Sequence, residues 1–408
     1  MRFYIFLLFF LGLSLSGILF KSVSLFYFLL ALCGCFFIFD REEKLSFEIK
    51  SYYWVSLVFF FGLTAVVVGF DWELIFKWRY KSYLVLLFIP LFYVLAKKYL
   101  LDESVFWKLI IASSMFTFFW VVLLIIEWPV ERGTGLLSNK INRGNMGMLF
   151  ALFSMVSFFA VQERGWRALA SLTFLSGVTL SILSGSRGGW LALLFSLLTI
   201  SFFLYRYRFV KALREIFILQ AVFVFLIIIF WDYLPIEPRI DAAINNIEDY
   251  LNGKVSTSVG ARIEAWKIST YAFMEKPWLG WGWTNYNEAQ AYIMNGGKAK
   301  SMQLLGHPHN QFFLFLVETG VLMTTMFLIF ILWPMIFALR SLSGMKANGS
   351  KDGVFIVVLL LVMVEAVVEF SLSDDTFSQK YFVFVYIFIT CCSIAILDNK
   401  KHFVARHG

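Results

Sequence analysis

The chain has 408 residues, of which 60% are hydrophobic and 15% charged, with a mean hydropathy of +0.77, whereas a soluble domain is about half apolar and about a quarter charged. These proportions exclude a soluble enzyme and predict an all-α integral membrane protein, because helices satisfy their own backbone in lipid. The net charge is +8, but no basic run interleaves with aromatics as a nucleic-acid groove requires, so the expected partner is anionic lipid or phosphate and not nucleic acid.

In chain order, apolar runs near the roughly 20 residues that cross a bilayer fall at 3–20, 22–39, 51–70, 82–96, 105–126, 144–161, 168–183, 188–205, 215–231, 310–333, 354–371 and 379–396. They predict about 12 transmembrane helices in one polytopic domain, 1–408. Met1 to Phe20 resembles a signal peptide, but no small-residue cleavage site follows, so it is read as the first span. Cys33, Cys35, Cys391 and Cys392 sit in apolar stretches without metal-ligand spacing and read as packing.

With the N-terminus inside, the loops on that side (among them Lys97 and Lys98, Arg206 to Arg214, and Arg340 to Lys351) carry about twice the Lys and Arg of the opposite short loops. Both termini are therefore expected in the cytoplasm. The segment 232–308, between the ninth and tenth helices, becomes one large outer loop. Within it Ile240, Ile244, Ile247 and Leu251 recur at helical spacing, and a second stretch, 258–275, stops before Pro277, predicting two short helices across the membrane surface.

Three places could carry chemistry. Ser184-Gly185-Ser186-Arg187-Gly188-Gly189-Trp190 sets one arginine at a Gly-rich helix start, where free amides favour an anion and a guanidinium can hold phosphate oxygens in pairs; the alternative is an arginine snorkelling to the interface. Arg262 precedes Trp266 by four residues on one helical face, as a second phosphate clamp or as a solvated charge beside Glu264 or Glu248. Gly306-His307-Pro308-His309-Asn310-Gln311 lies where the loop enters a span, and its histidines read as a general base, a metal pair or an interfacial anchor. The metal reading needs carboxylates such as Asp374 or Asp375, which no spacing recommends. Glu365 and Glu369 share a helix face and would suit a proton path, but a transporter or flippase needs polar residues along several spans, and few are present.

Taken together, Ser-Gly-Ser-Arg187-Gly-Gly, then Arg262 with Trp266, then Pro277-Trp-Leu-Gly280-Trp-Gly282-Trp283 leading to His309-Asn310, resemble the O-antigen ligase and polymerase superfamily. The His-Asn pair is followed by nine residues and Gly320, as in the ligase signature, and Met323 departs from it. The resemblance implies a glycosyltransferase of the C type in the bacterial inner membrane, its active site facing the periplasm. It would transfer a glycan from undecaprenyl pyrophosphate to lipid A-core in lipopolysaccharide biosynthesis, or, in the polymerase alternative, to another carrier-linked repeat. His309 would be the base and Arg187 with Arg262 the pyrophosphate clamp, with no metal or other cofactor. Arg143, Ser186, Trp283, Tyr286 and Asn310 would bind substrate. Between the two activities, the His-Asn-x9-Gly match, the basic pI near 9.2 and the single long loop favour the ligase.

Overall fold

A computed structural model describes residues 45–76, 78–99, 102–125, 140–185, 188–229, 237–255, 257–299, 305–347 and 353–407. The predicted spans 3–20 and 22–39, with Cys33 and Cys35, lie outside these residues. Among the described residues every regular element is helical, and nine helices are long and apolar enough to cross a membrane. The protein is a multi-pass membrane protein.

Some helices begin at a side-chain cap. In α1 (Phe47–Phe70) the Ser46 side chain accepts from the Ile49 amide at 3.3 Å, satisfying one of the orphan donors at a helix start. An irregular stretch follows: a 3-10 turn (Trp72–Phe76), the single turn α2 (Trp78–Lys81), a second 3-10 segment (Ser82–Phe88) and α3 (Ile89–Tyr99). The predicted span 82–96 is therefore only half α-helical. Asp102 caps α4 (Glu103–Ser114), which continues as α5 (Phe116–Ile125).

Next come α6 (Lys140–Ala160), α7 (Arg164–Ser184), α8 (Gly188–Arg206) and α9 (Val210–Ile229). Gly147 of α6 and Gly177 of α7 face each other so closely that a Cβ on Gly177 would lie 2.5 Å from the Gly147 carbonyl oxygen; small residues let membrane helices pack backbone against backbone. Three short helices follow, α10 (Glu237–Leu251), α11 (Ser258–Glu275) and α12 (Tyr286–Asn295), where two were expected. On α10 the apolar residues Ile244, Ile247 and Leu251 are exposed, so its stripe faces away from the protein.

The chain closes with α13 (Gln311–Ala347), α14 (Val354–Ser373) and α15 (Lys380–His407). Residues along α14 and α15 are largely buried, Cys391 and Cys392 among them, and rings from α1 and α13 interlock beside them, with Phe315 stacked on Phe327 and Phe59 on Phe330.

α13 is two helices spliced at Gly320, whose φ of 70° and ψ of −174° break the ladder. The turn Pro277–Gly282 fills the break. Trp281 N–H donates to the Val317 carbonyl at 2.8 Å, Gly282 N–H to the Glu318 carbonyl at 3.0 Å, and Val321 N–H to the Pro277 carbonyl at 2.8 Å. Backbone meets backbone here, so neither strand of the splice tolerates a side chain: a Cβ on Gly320 would sit 2.2 Å from the Trp278 carbonyl oxygen, and one on Gly280 would sit 2.6 Å from the Glu318 backbone.

Gly320→Ala is therefore expected to lower the melting temperature of the purified protein far more than Gly297→Ala. Gly297 shares the positive φ, at 68°, but has open space around it, so its substitution costs only the left-handed penalty of about 1–2 kcal/mol. Equal shifts for the two variants would contradict the splice.

Candidate functional site

Several helix ends and turns meet around the start of α8. Gly188, at the start of α8, abuts Ser373 at the end of α14: a Cβ there would lie 2.2 Å from the Ser373 hydroxyl and 3.9 Å from the Asn145 amide oxygen of α6. Arg79 of α2 reaches Ser378 across from it, and Gly282 lies against Phe70 at the end of α1.

The turn into α13 is built around Asn310. Its side-chain oxygen accepts from the Phe312 and Phe313 amides at 3.0 and 3.1 Å, capping the helix, while its amide nitrogen donates to the Leu372 carbonyl at 3.3 Å. Gln311 adds a bond from the Phe377 amide. These contacts tie the 307–311 turn to the 372–378 turn and hold His309 in a left-handed conformation, φ 50°. There His309 Nδ1 lies 3.2 Å from Asp374 Oδ1, and Asp374 is 1% exposed.

His307 packs against the same pair, its ring centroid 4.2 Å from that of His309, and its Nδ1 accepts from the His309 amide at 3.2 Å. Burial, then the neighbouring His309, pushes the His307 imidazole down to about 4, Arg79 and Arg262 contributing and Asp374 opposing. Asp375 moves the other way: burial, then the adjacent Asp374 carboxylate, raises it to about 7, with Arg79 opposing. His307 is thus held neutral at neutral pH by the electrostatics of the turn.

Thr257 caps α11 through the Gly260 amide, and the helix lays Trp266 against the histidine turn, its indole N–H donating to the Pro308 carbonyl at 3.0 Å and its ring stacking on Phe313. Arg262 is one turn earlier on that face and near enough to act on His307. Arg143 of α6 is 7% exposed; its guanidinium lies 5.7 Å from the Trp120 ring, and Nε and Nη1 have no hydrogen-bond partner among the described residues. Ser186 and Arg187 lie outside the described residues. Gly185, with φ 69°, ends α7, and Gly188 opens α8.

Trp283 and Tyr286, expected to bind substrate, are each 1% exposed and leave no ring face for a sugar. Trp283 lies under Arg79 at 4.6 Å, and the Tyr286 hydroxyl donates to the Ala265 carbonyl. Reading the chain as a sequence misses Arg79 and Glu318, which form a bidentate pair at 3.0 and 2.9 Å. The one signal for Arg79 is a cation between two apolar runs.

Comparison with known families fits this geometry. Residues 172–328 match the family model for the O-antigen ligase. Over that stretch, which is less than half of its length, the chain is similar to the O-antigen ligase family. The matched stretch runs from α7 into the second half of α13 and includes Arg187, Arg262, His309 and the Gly320 splice, while Arg79, Arg143 and Asp374 come from outside it. The chain is also similar to an uncharacterized protein of Haemophilus influenzae, 28% identical over 344 residues and covering 81% of each chain.

Glu318 is 1% exposed and Arg79 12%, so Glu318→Gln leaves a buried guanidinium without its counter-charge. The expected loss is about 3–5 kcal/mol, read as a large drop in melting temperature. A melt within a degree of the parent would show that the pair does not hold the splice to α2.

Proposed function

We propose that the protein is an O-antigen ligase: a metal-independent, inverting glycosyltransferase of the C type, working at the periplasmic face of the bacterial inner membrane. It takes a glycan from undecaprenyl pyrophosphate and joins it to a sugar hydroxyl of lipid A-core. The observation that carries this reading is the 3.2 Å contact between His309, within the stretch similar to the O-antigen ligase, and Asp374 beyond it.

A carboxylate that accepts the Nδ1 proton fixes the tautomer in which Nε2 bears the lone pair and stabilises the imidazolium that forms. In the transfer, Nε2 takes the acceptor hydroxyl proton as that oxygen bonds to the anomeric carbon, and the bond from that carbon to the pyrophosphate oxygen breaks. The electron pair leaves on pyrophosphate. Charge grows on the leaving group at the transition state, where cations already in place stabilise it better than water does. Arg187 and Arg262 take that role, and the buried guanidinium of Arg143, whose Nε and Nη1 have no hydrogen-bond partner among the described residues, supplies a third cation for the donor. Attack opposite the leaving group inverts the anomeric centre. Ser186 and Asn310 border the donor, Asn310 chiefly by holding the turn.

The test is transfer by the full-length protein in lipid, offered undecaprenyl-pyrophosphate glycan with lipid A-core. His309→Ala is expected to lose about 10²–10⁴-fold in rate, the usual contribution of a positioned base, and Asp374→Asn at least about tenfold. Glycan on lipid A-core supports the ligase. Longer carrier-linked chains would make it a polymerase using the same base, and full activity in His309→Ala would remove the base from the mechanism.

A further inference from the structure

We propose that His307, His309 and Asp374 form a binding site for a divalent transition-metal ion of the zinc class, and that an ion bound there switches the transferase off. One ligand atom from each residue lies within 4.8 Å of the others. Two imidazole nitrogens converge on one carboxylate oxygen: His309 Nδ1 at 3.2 Å and His307 Nδ1 at 4.0 Å from Asp374 Oδ1. A zinc ion bound about 2.0–2.2 Å from each ligand in tetrahedral geometry spaces its ligands about 3.3–3.5 Å apart, so the triad lies within a side-chain adjustment of coordination. Asp375 Oδ1 lies 3.9 Å from His307 Nε2, at the other nitrogen of that ring, and would have to turn toward Nδ1 to become a fourth donor.

A second observation points to a cation. Among the described residues Asp374 Oδ2 is buried and has no hydrogen-bond partner, although buried carboxylate oxygens are normally paired or bound to metal. The adjacent Asp375 is also buried. Arg79, one of the cations near this turn, is committed to Glu318 through both terminal nitrogens. Neutral imidazole is a preferred zinc ligand, whereas magnesium and calcium favour all-oxygen sites, which selects the zinc class. His307 and His309 are separated by Pro308 alone, and the two carboxylates come from 374–375, so the ion would clamp the same two turns that Asn310 ties together.

The regulatory half rests on His309 acting as the base. With Nδ1 on the metal, a neutral imidazole carries its proton on Nε2 and has no lone pair there for the acceptor hydroxyl. Metal binding and proton abstraction by His309 exclude each other, and removing the ion restores the base.

The experiment uses the full-length protein, purified in detergent without a polyhistidine tag, titrated with Co²⁺ followed by visible absorption and then displaced with Zn²⁺. One ion per chain is expected, bound at least about tenfold more weakly by His307→Ala and, separately, by Asp374→Asn, and unchanged when His402 and His407 are replaced by Ala. No saturable binding, binding indifferent to both triad substitutions, or binding lost with the tail histidines overturns the site. In the transfer assay, one equivalent of Zn²⁺ is expected to stop glycan transfer and EDTA to restore it; transfer that continues at full rate with the ion bound overturns the switch. The two readings fail separately. If the metal-free protein transfers nothing, the Co²⁺ titration still decides the site, and if transfer proceeds without any metal binding, only this inference falls.

Discussion

The break in α13 at Gly320 is the constraint on which the site depends. A membrane helix that stops being helical exposes amides and carbonyls that lipid cannot satisfy, each costing several kcal/mol. Here the Val317 and Glu318 carbonyls and the Val321 amide are satisfied by the backbone of Pro277–Gly282. The splice explains why that segment is so rich in glycine: Gly280 and Gly282, with φ of 72° and 102°, let the chain curl against the broken helix with no side chain between. It also fixes how the long polar segment meets the membrane helices, since α11 and α12 flank the docked turn.

Charge is placed by the same break. Glu318 faces the splice with its carbonyl given to Gly282 and its carboxylate to Arg79. Arginine suits this place because its planar fork meets both carboxylate oxygens while its face covers Trp283. An ion pair this buried is no guarantee of net stability; its effect is positional. It joins the irregular 72–88 stretch to α13, and the Arg79–Ser378 bond extends the connection to the turn that carries Asp374 and Asp375.

Much of this was legible in the sequence, for physical reasons that differ by element. Spans such as 354–371 and 379–396 follow from uninterrupted apolar runs, because lipid enforces length and composition together. The 82–96 run gave no sign that half of it would wind as a 3-10 segment, since composition does not report the local hydrogen-bond pattern. His309 stood out as a polar group at a boundary and Arg262 as a cation on one helical face with Trp266, but the carboxylate that holds His309 is 65 residues away and the partner of Arg79 is 239 away, and no spacing rule reaches so far. The aromatics misled for the converse reason: Trp283 and Tyr286 looked like sugar platforms in a polar loop, whereas Tyr286 fills the loop's own core and Trp283 packs into the membrane-helix core against Tyr83 and Phe315. Met323, which departs from the ligase signature, sits over Gly62 of α1, where a Cβ would lie 2.8 Å from its sulfur; a flexible thioether fills a notch that glycine leaves.

The His-Asn pair divides its labour along these lines. Asn310 is spent on structure, since its side chain caps α13 and ties the turn to Leu372. With the cap satisfied, the preceding residue can be held at positive φ, a conformation that costs about 1–2 kcal/mol for a residue with a Cβ and persists where surroundings enforce it. That strained backbone aims the His309 ring at Asp374, and the Leu372 tie places Asp374 to receive it. The helix cap, the strained histidine and the carboxylate are therefore one device, in which an imidazole is oriented by the same bonds that start the helix broken at Gly320.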